Sequence, residues 1–245
     1  LESIREKALK FGAVQAVVLD VRDDFANNYI AKGIKANASY QGDYHLSTPI
    51  GRAILAKKAV EVAQEVGADC IAHGSTGKGN DQVRFELTFY KLMPDVEVIA
   101  PWKDPSFLEQ FHGRSDMLAY AKKQNIPVSS TLEKPFSIDE NLMHTSFEGG
   151  ILEDLTQAAP ESMFLKTVSP MNAPDKTYAL AIEFQNGSPV SITDLESKEV
   201  ITGSLRLFQY LNEVGGKNGV GRIDIVESRF VGMKSRGVYE TPGGT

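Results

Sequence analysis

The sequence has 245 residues, of which 42% are hydrophobic and 24% are charged. These proportions are typical of a globular protein and exclude a disordered or fibrous chain. The formal net charge of -6 is unfavourable for binding a phosphate backbone, which usually needs a basic excess, so no nucleic-acid partner is predicted. The single Cys70 cannot form an internal disulfide. The sequence has no signal peptide and no apolar stretch long enough to span a bilayer, so we expect a cytoplasmic protein without membrane contact.

Both ends of the chain look like cuts through a longer sequence. The chain opens directly in a helical pattern, in which Ile4, Ala8 and Leu9 share a face and Gly12 is a stop signal. It finishes in the turn-like residues 242–245, directly after a strand-like run. We therefore expect it to be part of a longer protein.

Short apolar runs alternate with helical patterns through the first half of the chain. The predicted strands are residues 16–19, 69–72, 96–100 and 126–128. The predicted helices are one around residues 25–30, one over 51–66 that ends at Gly67, one around 83–92 that ends at Pro94, and one over 114–124. Continuous apolar strands separated by helices indicate parallel pairing with both faces covered. The fold class predicted for this half is α/β, with a doubly wound parallel sheet.

The second half has a different pattern. Two strand-like runs, 178–184 and 189–192, flank Asn186-Gly187, which is typical of a β-hairpin. A helix carrying Leu205, Phe208 and Leu211 follows and is predicted to end at Gly215-Gly216, and residues 222–226 form a further strand. The Pro-bearing residues 153–175 are predicted to be a surface connection. We therefore place a domain boundary near Ser130, which separates residues 1–130 from an α+β domain over 131–245.

The most distinctive segment is the Gly-rich run of residues 73–84, which follows the second predicted strand. Ligands of open parallel sheets bind beyond the carboxyl ends of the strands, and glycines let the backbone approach a ligand closely. Thr76, Asn80, Asp81 and Arg84 project polar groups from this segment. The stretch from Gly74 to Lys78 resembles a Walker loop but is too short, and Gly79 stands where that loop requires Ser or Thr, so a Walker ATPase is rejected. The pattern favours a ligand-binding loop over a plain connector.

Other polar side chains are ambiguous when taken singly. Tyr44 and Tyr239 are equally compatible with packing, Ser137 with capping a turn, Ser146 with a solvated hydroxyl, and Glu227 with a water-facing position. The four histidines and Cys70 show no metal-ligand spacing, so no metal site is predicted from these residues.

Residues 73–86 resemble the signature of the argininosuccinate synthases. Matching segments occur in order at 99–102, 139–144, 219–227 and 232–243, so the resemblance covers essentially the whole chain. It implies that residues 1–130 are an ATP-pyrophosphatase-like nucleotide-binding domain without its first strand and phosphate loop. Residues 131–245 would be part of a synthetase domain, and the complete protein would be a cytoplasmic homotetramer.

The resemblance also implies a reaction, which is ATP-dependent ligation of citrulline and aspartate in arginine biosynthesis and the urea cycle. A citrullyl-AMP intermediate would form, AMP and pyrophosphate would be released, and Mg²⁺ would accompany ATP. The implied ATP-binding residues are His73, Gly74, Gly77 and Lys78. The implied aspartate-binding residues are Thr76, Asn80 and Asp81. The implied citrulline-binding residues are Tyr44, Asn80, Arg84, Ser137, Ser146, Glu227 and Tyr239. No residue is assigned a catalytic proton transfer.

The sequence departs from the family in three places. The family's Ser-Gly-Gly-x-Asp-Thr-Ser phosphate loop and its C-terminal helical tail are absent, and Pro49 replaces a common hydroxyl residue, for which the neighbouring Thr48 is a candidate substitute. We therefore expect residues 1–245 alone to make no argininosuccinate. Two alternatives stay open, which are a non-catalytic amino-acid-binding fragment and another ATP pyrophosphatase such as a tRNA-thiolating enzyme.

Overall fold

The computed structural model describes residues 2–128 and 136–245. The α-helices are α1 (Glu2–Lys10), α2 (Arg22–Asp24), α3 (Ala31–Lys35), α4 (Ser47–Val66), α5 (Asn80–Leu92), α6 (Pro105–Gln110), α7 (Arg114–Lys123) and α8 (Ser204–Lys217). The strands are β1 (Cys70–Ala72), β2 (Glu97–Ile99), β3 (Ser137–Glu140), β4 (Thr145–Glu148), β5 (Leu180–Gln185), β6 (Ser188–Asp194), β7 (Val200–Thr202), β8 (Arg222–Ser228) and β9 (Lys234–Glu240). The architecture is therefore mixed α/β.

The parallel sheet of the first half is smaller than predicted. β1 and β2 pair in parallel with Ile71 opposite Val98, which confirms two of the four predicted strands. Residues 16–19 and 126–128 are not strands, and that part of the prediction is wrong. A strand exists only where a neighbour accepts its backbone hydrogen bonds, and no strand of the described residues lies beside either segment.

Helix α4 packs against α5 and against strand β1 of the parallel pair. Its apolar stripe contributes Ala56 and Val60 to a buried cluster with Phe89 of α5 and Val96. The helix ends at Gly67, as predicted, because its φ of 68° is a left-handed conformation that glycine adopts without steric cost. The end of α5 before Pro94 is also confirmed.

A second core cluster joins the two halves of the chain. A π-helix over Phe25–Ile30 connects α2 to α3, so the predicted helix around these residues is confirmed. Phe25 and Ile30 pack there with Ile54 of α4, with Met143 of the β3–β4 turn and with Phe208 of α8. The first and second halves therefore share apolar core, which fixes their elements against each other.

Two antiparallel sheets build the second half. One has the strand order β3-β4-β9-β8 and the other β5-β6-β7. The predicted hairpin is confirmed as β5–β6, and its turn residues Asn186 and Gly187 have φ values of 52° and 78°. Positive φ at both positions is what a two-residue turn of this handedness requires.

The predicted end of α8 is confirmed, because Gly215-Gly216 lie in its last turn and the helix ends at Lys217. A Cβ on Gly216 would lie 2.2 Å from the backbone oxygen of Lys166, so this glycine also permits close packing. The prediction for residues 153–175 is wrong in part, because they are not simply a surface connection: Met163 and Thr167 are buried.

The predicted domain boundary near Ser130 lies outside the described residues. Within the described part of the chain, the helices are too short or too polar to cross a membrane.

Candidate functional site

A cavity of about 560 Å³ opens beyond the carboxyl end of β1, where the Gly-rich segment was predicted to bind a ligand. The Gly-rich loop, the first turns of α4 and α5, and β3, β4, β8 and β9 contribute its walls. The sequence-predicted site residues that line it are Tyr44, His73, Gly74, Thr76, Asn80, Asp81, Arg84, Ser146, Glu227 and Tyr239. Residues from both halves of the chain therefore meet at one site.

The Gly-rich loop turns tightly before α5. The Gly79 N–H donates to the Thr76 carbonyl at 3.2 Å, and a Cβ on Gly79 would lie 3.0 Å from the Thr76 hydroxyl. Asn80 is the first residue of α5, and its side-chain oxygen accepts the Phe230 N–H at 2.6 Å. This contact holds the start of α5 against the segment that follows β8.

Asp81 is the centre of an ion-pair network at the cavity wall. Arg84 Nη1 donates to its Oδ1 and Arg52 Nε to its Oδ2, both at 2.7 Å. Arg52 Nη2 also donates to Asp139 of β3. Burial by itself would lower the pKa of Arg52, but the two carboxylates outweigh it and raise the pKa. Arg52 therefore stays charged, and the network offers cations and anions side by side.

Another part of the cavity wall carries a buried carboxylate that is hydrogen-bonded to one of two stacked tyrosines. The Tyr239 hydroxyl donates to Glu227 Oε1 at 3.1 Å, and the Tyr239 ring stacks on Tyr44 with 4.4 Å between centroids. The Tyr44 oxygen in turn accepts the Thr48 N–H at 3.2 Å. Burial raises the pKa of Glu227, and burial also raises the pKa of both tyrosines. An ammonium group would offset that cost for Glu227, because an opposite charge favours the ionised carboxylate.

Ser146 and Ser137 belong to neighbouring parts of the site. The Ser146 hydroxyl lies 3.4 Å from the Asp139 carbonyl and faces the main cavity. Ser137 lines an adjoining cavity of about 630 Å³ together with Lys78. Thr76 and Gly79 border both cavities, so the two spaces adjoin at the loop.

The residues implied for ATP divide into three positions. His73 lines the main cavity, but both of its ring nitrogens are engaged, Nδ1 by the Ser75 N–H at 3.2 Å and Nε2 by Glu86 at 3.1 Å. Gly74 lines the same cavity, and a Cβ there would meet open space. Gly77 instead packs against the segment after β2, because a Cβ on it would lie 3.2 Å from the Trp102 carbonyl. The structure thus brings His73 and Gly74 to the main cavity, packs Gly77 away from it, and places Lys78 at the adjoining cavity.

Comparison with known families decides the relationship. Residues 1–127 match the family model described as the arginosuccinate synthase N-terminal HUP domain. Residues 136–245 match the one described as the arginosuccinate synthase C-terminal domain. The chain belongs to the argininosuccinate synthase family. The resemblance carried by residues 73–86 is therefore confirmed.

Curated relatives agree over the full length of the chain. It is 53% identical over 244 residues to an argininosuccinate synthase of Xenopus laevis and 53% identical to one of Thermotoga petrophila. A human argininosuccinate synthase is 51% identical over the same number of residues. These matches cover 100% of this chain and 59%, 60% and 59% of the relatives, so the chain spans about three fifths of their length.

Several cavity residues of this family member were not predicted from its sequence. They are Arg52, Asp139, Glu148 and Arg229, whereas Thr48, the candidate substitute for the hydroxyl at position 49, does line the cavity. One signal was available, because Thr48 and Arg52 are four residues apart and therefore share a face of α4. The Thr48 hydroxyl lies 3.0 Å from His144 Nε2, whereas Pro49 lines a smaller pocket beside the cavity.

The next feature is the arrangement of possible metal-binding side chains. Residues 2–128 and 136–245 contain no group of three or more His, Cys, Asp or Glu side chains arranged to hold a metal ion. Three acidic groups of the cavity, Asp81, Asp139 and Glu148, are instead paired with arginines, as Glu148 is with Arg229 at 2.6 Å.

Proposed function

We propose that this chain forms the amino-acid-binding part of an ATP-dependent ligase that joins citrulline to aspartate in arginine biosynthesis. One observation carries the proposal: oppositely charged side chains from both halves of the chain line one cavity. Two α-amino acids need such a surface, because each brings an ammonium and a carboxylate that must be paired when they leave water. Membership of the argininosuccinate synthase family supports the same substrates.

The proposed aspartate site is the start of α5. Asp81 would accept hydrogen bonds from the substrate ammonium, and Thr76 and Asn80 would donate to a carboxylate. Both Asp81 oxygens already accept from arginines. Each oxygen has a second lone pair, so the ammonium can be added without breaking both contacts.

The proposed citrulline site joins Arg84 of α5 to cavity residues of β8 and β9. Arg84 would bind the citrulline carboxylate, and the buried Glu227 would pair with its ammonium. The other residues assigned to citrulline in this proposal are Tyr44, Asn80, Ser137, Ser146 and Tyr239. Tyr44 and Tyr239 supply a stacked aromatic surface for the methylene chain.

The reaction would proceed in two displacements. The ureido oxygen of citrulline attacks the α-phosphorus of ATP, the bond to the bridging oxygen breaks, and pyrophosphate leaves. The aspartate nitrogen then attacks the activated ureido carbon, loses a proton, and AMP leaves with the former ureido oxygen. The chain's contribution is to hold the two nucleophiles in place, so catalysis rests mainly on positioning.

The nucleotide would bind next to His73, Gly74, Gly77 and Lys78. Lys78 borders the adjoining cavity as an exposed cation. We propose Mg²⁺ as the companion of ATP, where it would neutralise phosphate charge. The described residues hold no acidic cluster for it, so no step above is assigned to the metal.

Further parts of the proposal concern the complete protein. They are a doubly wound parallel sheet, a division into domains 1–130 and 131–245, a homotetramer and a cytoplasmic location. The two family models leave residues 128–135 between them, which supports a boundary there.

The test is to supply the complete gene product with ATP, citrulline and aspartate and to detect argininosuccinate by mass spectrometry. Product formation with equal amounts of AMP and pyrophosphate is expected, and it should require both amino acids. Binding of citrulline and aspartate without any product would favour the non-catalytic alternative. Sulfur transfer to tRNA instead of ligation would favour the thiolating one.

A further inference from the structure

Arg52 occupies an unusual place in the cavity wall, because its single guanidinium joins the two halves of the chain. Its Nε donates to Asp81, at the start of α5, at 2.7 Å. Its Nη2 donates to Asp139 of β3, on the strand that carries Ser137 and next to the strand that carries Ser146. Each of its partners therefore adjoins a different proposed substrate site.

The ion pairs of Arg52 are more buried than the lysine–glutamate pairs on the same helix, α4. The Arg52 side chain is 17% exposed, whereas Lys57 on the same helix is 44% exposed and pairs with Glu61 at 3.6 Å. Exposed pairs contribute little because water screens them. Removing one partner of a buried pair leaves an uncompensated charge, so the remaining group changes its position or pairs with another charged group.

Asp81 would respond directly to the loss of Arg52. Its two oxygens are shared between Arg52 on one side and Arg84 on the other. Without Arg52, Arg84 becomes the only guanidinium that pairs with Asp81 within the described residues. Arg84 would then draw the carboxylate towards itself and would itself be less available to a substrate carboxylate.

We infer that Arg52 is a positioning residue that holds Asp81 in place for the ammonium group of the incoming amino acid. The inference rests on the proposed function. The guanidinium suits the task because its Nε and Nη2 donors lie in one rigid plane and reach two carboxylates at once. A lysine ammonium keeps the charge but is a compact point donor on a flexible stem, so it cannot hold both carboxylates in the same geometry.

The experiment measures steady-state kinetics of Arg52→Lys, Arg52→Ala and Asp81→Asn in the complete gene product. Lys58→Ala is the matched control, because Lys58 lies on the same helix and pairs only with Glu61 among the described residues. In Arg52→Lys we expect the KM for aspartate to rise about tenfold or more, while kcat changes by less than about threefold. Lys58→Ala should leave both the KM for aspartate and kcat unchanged. Should Arg52→Ala fail to fold, Arg52→Lys alone decides the outcome.

A double-variant cycle separates positioning from general stability. If Arg52 acts through Asp81, adding Arg52→Lys to Asp81→Asn should raise the aspartate KM little further. If the KM for aspartate is unchanged in Arg52→Lys but raised in Asp81→Asn, the positioning role of Arg52 is overturned and the proposed aspartate site stands. Fully independent, multiplied effects in the double variant would overturn the positioning role as well. An unchanged KM in Asp81→Asn would refute the proposed aspartate site itself, and the positioning role with it.

Discussion

Asp81, in the first turn of α5, accepts hydrogen bonds from two guanidinium groups. In the proposed function its third partner is the aspartate ammonium. Asp81→Ala should therefore raise the KM for aspartate more than that for citrulline, since a hydrogen bond to a charged group is worth about 1.5–3 kcal/mol. Steady-state kinetics of the complete gene product check this, with the exposed Asp95→Ala as control. Unchanged aspartate kinetics in Asp81→Ala would refute the assignment.

His144 predicts how stability depends on pH. It is fully buried, its Nε2 lies 3.0 Å from the Thr48 hydroxyl, and its Nδ1 has no hydrogen-bond partner among residues 2–128 and 136–245. Burial, with the nearby charges of Arg52 and Lys166, lowers its pKa from 6.5 to about 3. Below pH 6.5 His144 binds a proton in the unfolded chain but stays neutral in the folded chain. The stabilisation from keeping His144 neutral is therefore complete above pH 6.5 and is lost as the pH falls towards 3.

The corresponding measurement is the free energy of unfolding in urea between about pH 6 and about pH 4. His144 should make this free energy rise with pH by on the order of 1.4 kcal/mol per pH unit. His144→Gln should flatten the pH dependence by that amount. Equal slopes in wild type and His144→Gln would contradict the role of His144.

At the level of elements, β9 is anchored by the carboxylate of its last residue. The fully buried Glu240 accepts backbone N–H groups from Leu165, Lys166 and Thr167 at 2.8, 2.9 and 2.8 Å. It also accepts the Thr167 hydroxyl at 2.7 Å. The contact explains why a Pro-bearing connection is partly buried, and it fixes the strand that carries Tyr239.

Glu240→Ala should lower the free energy of unfolding by roughly 3–5 kcal/mol, because buried N–H donors lose their acceptor. Urea unfolding monitored by circular dichroism measures the loss. The control is Glu213→Ala on α8, whose exposed pair with Lys217 should contribute less than about 1 kcal/mol. A loss in Glu240→Ala no larger than in the control would show that the anchor is unimportant.

Across the whole molecule, local signals predicted some elements closely. Gly67 ended α4 because its left-handed conformation is a local requirement, and Asn186-Gly187 formed the hairpin turn for the same reason. The run 16–19 has a strand composition but no strand partner in the described residues, and a partner cannot be read from one segment.

The candidate site was predictable only in part. The Gly-rich loop and its polar residues follow a strand, so their position in the fold could be predicted from the sequence. Arg52 was not predicted: its spacing of four residues from Thr48 places both on one face of α4, but an arginine on a helix usually points into solvent. Its partners Asp81 and Asp139 are 29 and 87 residues away, so only the folded chain brings them together.

The central claim is that the ureido oxygen of citrulline attacks ATP and that the aspartate nitrogen then replaces AMP. Citrulline labelled with ¹⁸O in its ureido group tests it most directly, using the complete gene product with ATP and aspartate. The account predicts that one ¹⁸O atom appears in the phosphate of each AMP released and none in pyrophosphate. Argininosuccinate formation with unlabelled AMP would contradict the adenylate route. Labelled AMP would not form at all if this cavity bound amino acids without ligating them.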